Sequence, residues 1–550
     1  MAQRFPLNDE NGEADMKTTS RLKSQTLIRL AVVAGILILV NVVSIRLFGR
    51  LDMTRNRVFT LSDASKEMMR SLDDRVTVKA YFTEDLPSPY NNNRRMLLDQ
   101  LNEYRAYARG NLQFDFIDPS GEKGERDAEQ QGVSPIQVQV VKDDKFEVKR
   151  GYMGVVLQYE DRKEVIPVVQ NTANLEYELS STIRKLVTKQ QRKVGFLSGH
   201  GEASLNDLSR SQEMLRRQYE MVSVDVSKNT PVPDDVAALI VAGPTARFPE
   251  DAKFQIDQYI MRGGRVAFLL NRIDANLQAR FGRPLDLNLD DLLAAYGIKI
   301  NNDVVRDVQC ASVSLMQQQY GYAIQSQVPY PYLPIASDFG LGNMMVKNLQ
   351  GVVLFFASSL DTVGTAGKGL QAEIFMRTSK QSGRQTGMLA IDPLQRYTQG
   401  EFGESGIPLA AVISGSFNSP FAGKPIPSDT AAGAALPPAS SRTSSPATRI
   451  VVLGDGDFMR DQFTNRDNIT FFANMVDYLM DDAGLITIRS REASSPPLEP
   501  VADGTKKFIK YANLGLPPLL VVAYGLIRWR TRKARKRILE LQVKSTTGNS

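Results

Sequence analysis

The 550-residue chain holds one cysteine, one histidine and one tryptophan. A single cysteine excludes an intramolecular disulfide framework, a CxxC redox pair and any Cys-rich zinc site. A single histidine excludes HExxH and every two-histidine metal site. Also missing are a GxxxxGK[ST] loop, a GxSxG elbow and a GxGxxG fingerprint; Gly367-Lys368 and Gly423-Lys424 lack both the spacing and the setting of a phosphate loop. The chain therefore does not hydrolyse ATP by a P-loop. What remains is 42% hydrophobic and 23% charged, the composition of a folded protein with more than one domain.

The net charge of +6 is unevenly placed. Residues 528–550 alone sum to +7, residues 1–29 to +1, and residues 30–527 to −2. A nearly neutral bulk argues against a nucleic-acid partner, which would need a basic folded face.

Each charged end adjoins an apolar run. Leu30–Ile45 carries no charge and, with Leu27, Ile28, Leu47 and Phe48, approaches the roughly 20 residues that cross a bilayer. It is too long for a signal-peptide core and exits into bulky, basic residues, so an uncleaved first transmembrane helix is expected over 27–48. Tyr511–Ile527, followed by RWRTRKARKR, predicts a second over 508–528, with Trp529 at the interface. Positive charge stays inside, so the tails 1–26 and 529–550 are expected to be cytoplasmic and the bulk extracytoplasmic, on a bacterial inner membrane.

Between the runs, residues 50–190 alternate strand and helix patterns in the order β-α-β-α-β-β-α, with Pro135 at the head of the third core strand. This order resembles a thioredoxin-like fold. The resemblance implies a cis bond before Pro135; without CxxC the domain is a scaffold. Residues 192–491 read as an open parallel-sheet α/β domain: strands at 193–199, 220–226, 237–244, 265–271 and 449–454, helices at 205–219, 249–264 and 468–480. Residues 289–300 continue it, 352–360 and 409–417 are β-rich, and 485–491 is a last strand. The Pro-, Ala- and Ser-rich stretch 419–448 is expected to be a disordered insertion, and 492–507 a linker.

Two Gly-rich turns follow strands: Gly199-His200-Gly201-Glu202 and Gly454-Asp455-Gly456-Asp457. Ligands of open α/β sheets sit at the carboxyl ends of strands, so His200, Glu202, Asp455 and Asp457 are candidate ligand-binding residues. Were the turns neighbours, the four would serve a membrane-anchored hydrolase or metal-dependent enzyme. The alternative is that they are tight turns whose polar side chains cap helices and hold loops. Cys310 has only Arg306 as a basic neighbour and is expected to be inert.

Taken together, LDMTRNRVFTLSDASKEMMRSL, KVGFLSGHGE, LIVAGP, QYIMRGGRVAFL, RIVVLGDGDF and NLGLPPLLVVAYGLIRWR resemble the auxiliary components of ABC-type transport systems, the gliding-motility auxiliary proteins among them. The resemblance implies a non-enzymatic subunit beside an ABC-2-type permease and its separate ATPase, binding partner subunits or a polysaccharide or lipid-linked cargo. It also implies that residues 192–491 are similar to the class I glutamine-amidotransferase-like fold, shared with an intraflagellar transport protein. No cysteine stands at a nucleophile elbow, so amidotransferase activity does not follow. No cofactor and no resident metal are implied.

Overall fold

The computed structural model describes residues 60–490, apart from short breaks of which 426–440 is the longest, together with 503–547 and Val32, Val33, Gly35 and Ile36. The chain divides into two compact units, Met1–Ala493 and Ser494–Ser550. Apart from Val32, Val33, Gly35 and Ile36, the expected first membrane run lies outside the described residues, as do the N-terminal tail and most of the linker.

The first domain begins with α1 (Asp63–Arg70), capped by the Ser62 side chain, which accepts from the Ser65 N–H at 3.1 Å. There follow β1 (Val76–Phe82), α2 (Asn91–Tyr107), β2 (Leu112–Ile117), α3 (Gly121–Gln131), β3 (Pro135–Lys142), β4 (Lys145–Tyr159), β5 (Arg162–Ile166) and α4 (Leu175–Val187). β1 runs parallel to β2 and antiparallel to β4, and β5 closes the other side of β4. Alternation in β1 sends Val76, Val78, Ala80 and Phe82 to a core with Leu97, Leu101, Leu179 and Ile183, while Tyr81 enters a smaller cluster against Ala128 on α3.

One expectation changes here. The strand opened by Pro135 is not the third core strand. β3 pairs only with the first part of β4, from Pro135↔Tyr152 to Lys142↔Lys145. The core position belongs to Met153–Tyr159, the second part of that 15-residue strand. Pro135 lacks an N–H and its side chain is exposed, as suits an edge.

The second domain is built from β6 (Arg192–Ser198), α5 (Ser209–Leu215), β7 (Tyr219–Asp225), β8 (Val236–Ala242), α6 (Glu250–Met261), β9 (Arg265–Leu269) and α7 (Asp290–Ala295). It continues through β10 (Cys310–Gln319), β11 (Tyr322–Ala336), β12 (Asp338–Phe339), β13 (Gln371–Arg377), β14 (Pro408–Gly415) and β15 (Thr448–Leu453). It ends with α8 (Arg466–Leu479) and α9 (Ala483–Arg489). Its main sheet has eight strands in the order β12-β13-β14-β15-β9-β8-β6-β7. The five strands from β15 to β7 are parallel, as expected, but β12, β13 and β14 are antiparallel, so the sheet is mixed. Both faces are covered. Ala238, Ile240 and Ala242 face Phe471, Phe472 and Met475 of α8, while Leu239 and Val241 face Ile256 and Ile260 of α6.

Four other expectations are corrected. Residues 289–300 leave the main sheet: after α7, Ile298–Ile300 pairs with Leu360–Thr362 alone. The apolar run 352–360 has strand only at Val352–Val353 and from Leu360. Between them it is a buried loop, with the Ser358 N–H donating to the Gly454 carbonyl at 2.8 Å. Residues 485–489 form no strand but belong to α9, where Leu485, Ile486, Ile488 and Arg489 are buried at helical spacing; Ser490 is a turn and Arg491 lies outside the described residues. The insertion is narrower than expected, because its flanks are built in. Asn418 and Ser444 form a β-bridge, Phe421 is buried, and the Ser419 hydroxyl donates to Asp257 at 2.7 Å.

The second unit contains α10 (Asp503–Thr547), a helix through Pro517 and Pro518. The expected second membrane run is therefore helical. Yet among the described residues no helix is long and apolar enough to cross a membrane. Asn513, two prolines and two glycines dilute its apolar stretch, and Lys510 and Arg528 bound it.

The sheet and the 352–360 loop meet at Gly454, where a Cβ would collide with the Ser358 carbonyl. Gly454→Ala should therefore cost about 1–3 kcal/mol, the range for overpacking a rigid interior. Urea unfolding would show a lower midpoint with an unchanged slope; an unaltered midpoint would mean that the loop is free to move away.

Candidate functional site

β6 delivers its chain into Gly199-His200-Gly201-Glu202, and both glycines have positive φ, +112° and +76°. The His200 ring is buried and stacks on Phe248 with centroids 4.1 Å apart. The backbone N–H of His200 donates to Glu202 Oε2 at 2.7 Å, and its backbone carbonyl accepts from the N–H groups of Thr245 and Ala246 at 3.0 and 2.8 Å. The turn is thereby stitched to the loop after β8. Glu202 Oε1 lies 3.4 Å from His200 Nδ1, with side chains 1% and 4% exposed. This carboxylate and imidazole face each other inside the protein, closed to a substrate.

β15 ends in the second turn. Asp455 is fully buried and accepts from the N–H groups of Phe355 and Asp457 at 2.8 and 2.7 Å. Burial, with the neighbouring Asp457 charge behind it, pushes its carboxyl well above the ordinary carboxylate range. Burial raises Asp457 as well, opposed by Arg460, whose Nε lies 2.9 Å away, and by Asn271, which donates at 2.8 Å. The Asn271 side chain also accepts from the Gly456 N–H at 2.7 Å, tying this turn to the end of β9.

The two turns share the carboxyl edge of the sheet without being neighbours. β9 and β8 stand between β15 and β6. Three inter-strand steps of ~4.8 Å set the strand ends about 14 Å apart. Among the described residues no group of three or more His, Cys, Asp or Glu is placed to hold a metal ion. In this arrangement the Glu202 and Asp455 carboxylates brace backbone turns, while the His200 ring packs on Phe248 and Asp457 is held by Arg460 and Asn271. Cys310 is half-buried, and burial pushes its thiol up, away from the reactive thiolate.

Sequence reading missed the seam between the two domains. α9 inserts there, with Leu485 and Ile488 packed on Tyr177 of α4 and beside Ala64 of α1. At its end Arg489 is buried. Its guanidinium donates to Asn474 Oδ1 at 2.6 Å and to the Tyr177 hydroxyl at 2.8 Å, and pairs with Asp477 Oδ2 at 2.8 Å. It also lies over the Tyr177 ring, 4.8 Å from the centroid. Asp477 in turn accepts from the Tyr219 hydroxyl at 2.8 Å. One arginine thus joins α4 of the first domain to α8 of the second. Nearby the seam opens into a cleft of 330 Å³, where Tyr177 and Glu178 face Arg210, Glu213, Arg217 and Ile469. Charges of both signs over an apolar floor suit a mixed polar segment better than a lone small ion. Nothing in the run LITIRSR marks Arg489 as the joint.

The family described as an ABC-type uncharacterized transport system matches residues 191–481, more than half of the chain. The chain belongs to that family. A domain of unknown function matches residues 55–158, within the first domain. The chain is 22% identical over 509 residues to an uncharacterized protein of Borreliella burgdorferi, covering 90% of this chain and 95% of that one. Among solved structures, the mmIFT52 N-terminal domain is similar at a TM-score of 0.32 and 17% identity, over 52% of this chain and 97% of that one. The exo-beta-1,4-mannosidase Op5Man5 from Opitutaceae bacterium strain TAV5 reaches 0.22 at 9% identity, over 74% and 50%. Scores this low support no argument about fold or activity.

Two outcomes follow from the geometry. Titrating the full chain in detergent with Mg²⁺, Ca²⁺ or Zn²⁺ in a calorimeter should give no saturable heat assignable to the turns. Uptake that vanishes in both His200→Ala and Asp457→Ala would mean that the turns act together. Arg489→Ala strands Asp477 in the interior and should lose about 3–5 kcal/mol, the cost of breaking a buried ion pair. Denaturant unfolding measures that loss, and a loss under about 1 kcal/mol, as for an exposed pair, would put the joint elsewhere.

Proposed function

We propose that the chain is a membrane-anchored, non-enzymatic auxiliary subunit of an ABC-type, ABC-2-like transporter, with its two folded domains outside the cytoplasm. Membership of the transport-system family supports the association, and a chain with no phosphate loop depends on a separate ATPase subunit. One observation carries the anchor. From Phe508 to Trp529, α10 exposes Leu514, Leu516, Leu519, Leu520, Val521, Val522, Leu526 and Ile527, and a strongly basic segment follows. An exposed apolar surface of this extent on a soluble helix has no counterpart among ordinary monomers.

The apolar part of α10 from Tyr511 to Ile527 is about 25 Å long at 1.5 Å per residue, short of ~30 Å of hydrocarbon. Such a helix enters a bilayer best beside other helices, and its small residues Ala512, Gly515 and Gly525 permit close approach. The run 27–48 of the same chain and the helices of an ABC-2-type permease are the partners in this reading. The basic residues after Ile527 keep the C-terminus cytoplasmic, and two spans return the N-terminus to the same side. The first domain serves as a thioredoxin-like scaffold without thiol chemistry. The second serves as an amidotransferase-like α/β platform, and the seam cleft or the sheet edge meets a partner subunit or a polysaccharide or lipid-linked cargo.

Affinity purification of the tagged full chain in mild detergent should co-isolate a permease and an ATPase. Recovery of the chain alone, or with partners unrelated to transport, would overturn the proposal. Alkaline phosphatase fused after residue 190 should be active; an inactive fusion alongside a cytoplasmic reporter that works would reverse the topology.

A further inference from the structure

β10 and β11 form a long two-stranded ribbon. They pair residue for residue from Ser312↔Pro329 to Gln319↔Tyr322. The Gln327 side chain donates across the ribbon to the Ser314 hydroxyl at 2.6 Å. Among the described residues β10 pairs with no other strand, and β11 meets a second one only at Ile335 and Ala336, beyond the ribbon. Alternate N–H and C=O groups of β10 therefore point outward, unclaimed by any strand of the fold.

Natural sheets protect such an edge with charges, prolines, bulges or a covering element. Here the protection is confined to the base of the ribbon. A bulge lies between Cys310 and Ser312, and Pro329, Pro331 and Pro334 all belong to β11. β10, CASVSLMQQQ, has no proline. From Val308 to Ser337 there is no Asp, Glu, Lys, Arg or His, where the average composition would supply about seven charges. Ser312, Ser314 and Met316 stand exposed on one face, Met316 at 72%.

We infer that the β10 edge pairs with the β10 edge of a second copy of this chain, making a four-stranded antiparallel sheet across a two-fold axis. The missing charge selects this occupant. A different protein is steered to an edge by charges complementary to it, and this edge presents none. A two-fold axis brings β10 against β10, residue i facing j and j facing i, so an edge carrying charges of one sign would repel itself, whereas serine, glutamine and methionine do not. Antiparallel pairing is also what a two-fold perpendicular to the strands imposes. The pairing rests on β10 alone, whatever α10 is seated in.

The full chain purified in detergent, with micelle mass subtracted by light scattering, should run at twice the chain mass. Ser314→Lys/Met316→Lys places four like charges across the joint and should shift it to one chain mass. The neutral pair Ser314→Asn/Met316→Gln should keep the doubled mass. Both positions are exposed, and matching far-UV circular dichroism would confirm that the variants fold. Hydrogen exchange supplies a readout without substitution: amides of Ser312–Gln319 should be protected at high concentration and lose protection on dilution. A wild-type chain at one chain mass overturns the inference. So does a lysine variant that stays dimeric, or exchange independent of concentration.

Discussion

The buried guanidinium of Arg489 is the interaction on which the arrangement of the folded body depends. It meets Tyr177 from the first domain and Asn474 and Asp477 from the second, at 2.6–2.8 Å, in a place that water does not reach. A charge there is tolerable only because each partner is aimed at it. Its helix, α9, supplies Leu485 and Ile488 to the same seam, so apolar burial and the ion pair fix one geometry. Gln218 adds a bond from its side chain to the Ser181 carbonyl at 2.8 Å, further along the junction. Two domains that could swing on a linker are thereby held together.

At its carboxyl edge the main sheet has the layout of a ligand-binding open α/β fold. In such folds the loops beyond β6, β8, β9 and β15 frame the crevice. Here they are bonded to one another. The His200 carbonyl takes two N–H groups from the loop after β8, Asn271 holds the β15 turn, and the 352–360 loop closes over Gly454 and Asp455. Of the polar groups at this edge, the Glu202 and Asp455 carboxylates are committed to backbone N–H groups of the turns. Asp455 stays inside because backbone N–H groups compensate for lost water, while burial first and the Asp457 charge second push its carboxyl up.

Much of this was legible in the residues, and the failures have physical causes. β1, β2, β5, β6 and β8 follow from alternation or continuous β-branched runs bounded by turn residues, and α2 and α8 from apolar spacing. The edge position of β3 was hidden, because a proline at a strand's head says nothing about which neighbour the strand will take. The 352–360 run is as apolar as a core strand, yet it is buried as a loop whose backbone bonds go to Asp303, Gly454 and Asp455. For α9, Leu485, Ile486 and Ile488 fit both periods over so short a span, and the tertiary contacts decide. The candidate residues were placed correctly at strand ends. Which ends adjoin is a matter of strand order, and no local pattern carries it. Arg489 gave no signal, since an arginine at the end of a short apolar run is as often a surface residue.

The two domains should unfold as one body because of this seam. Native-state hydrogen exchange of the full chain, followed against denaturant, tests it most directly. Amides of β1 in the first domain and of β8 in the second should converge on one opening free energy and one denaturant dependence. Exchange of β1 at a much lower free energy than β8, through a separate transition, would contradict the claim and return the domains to independence.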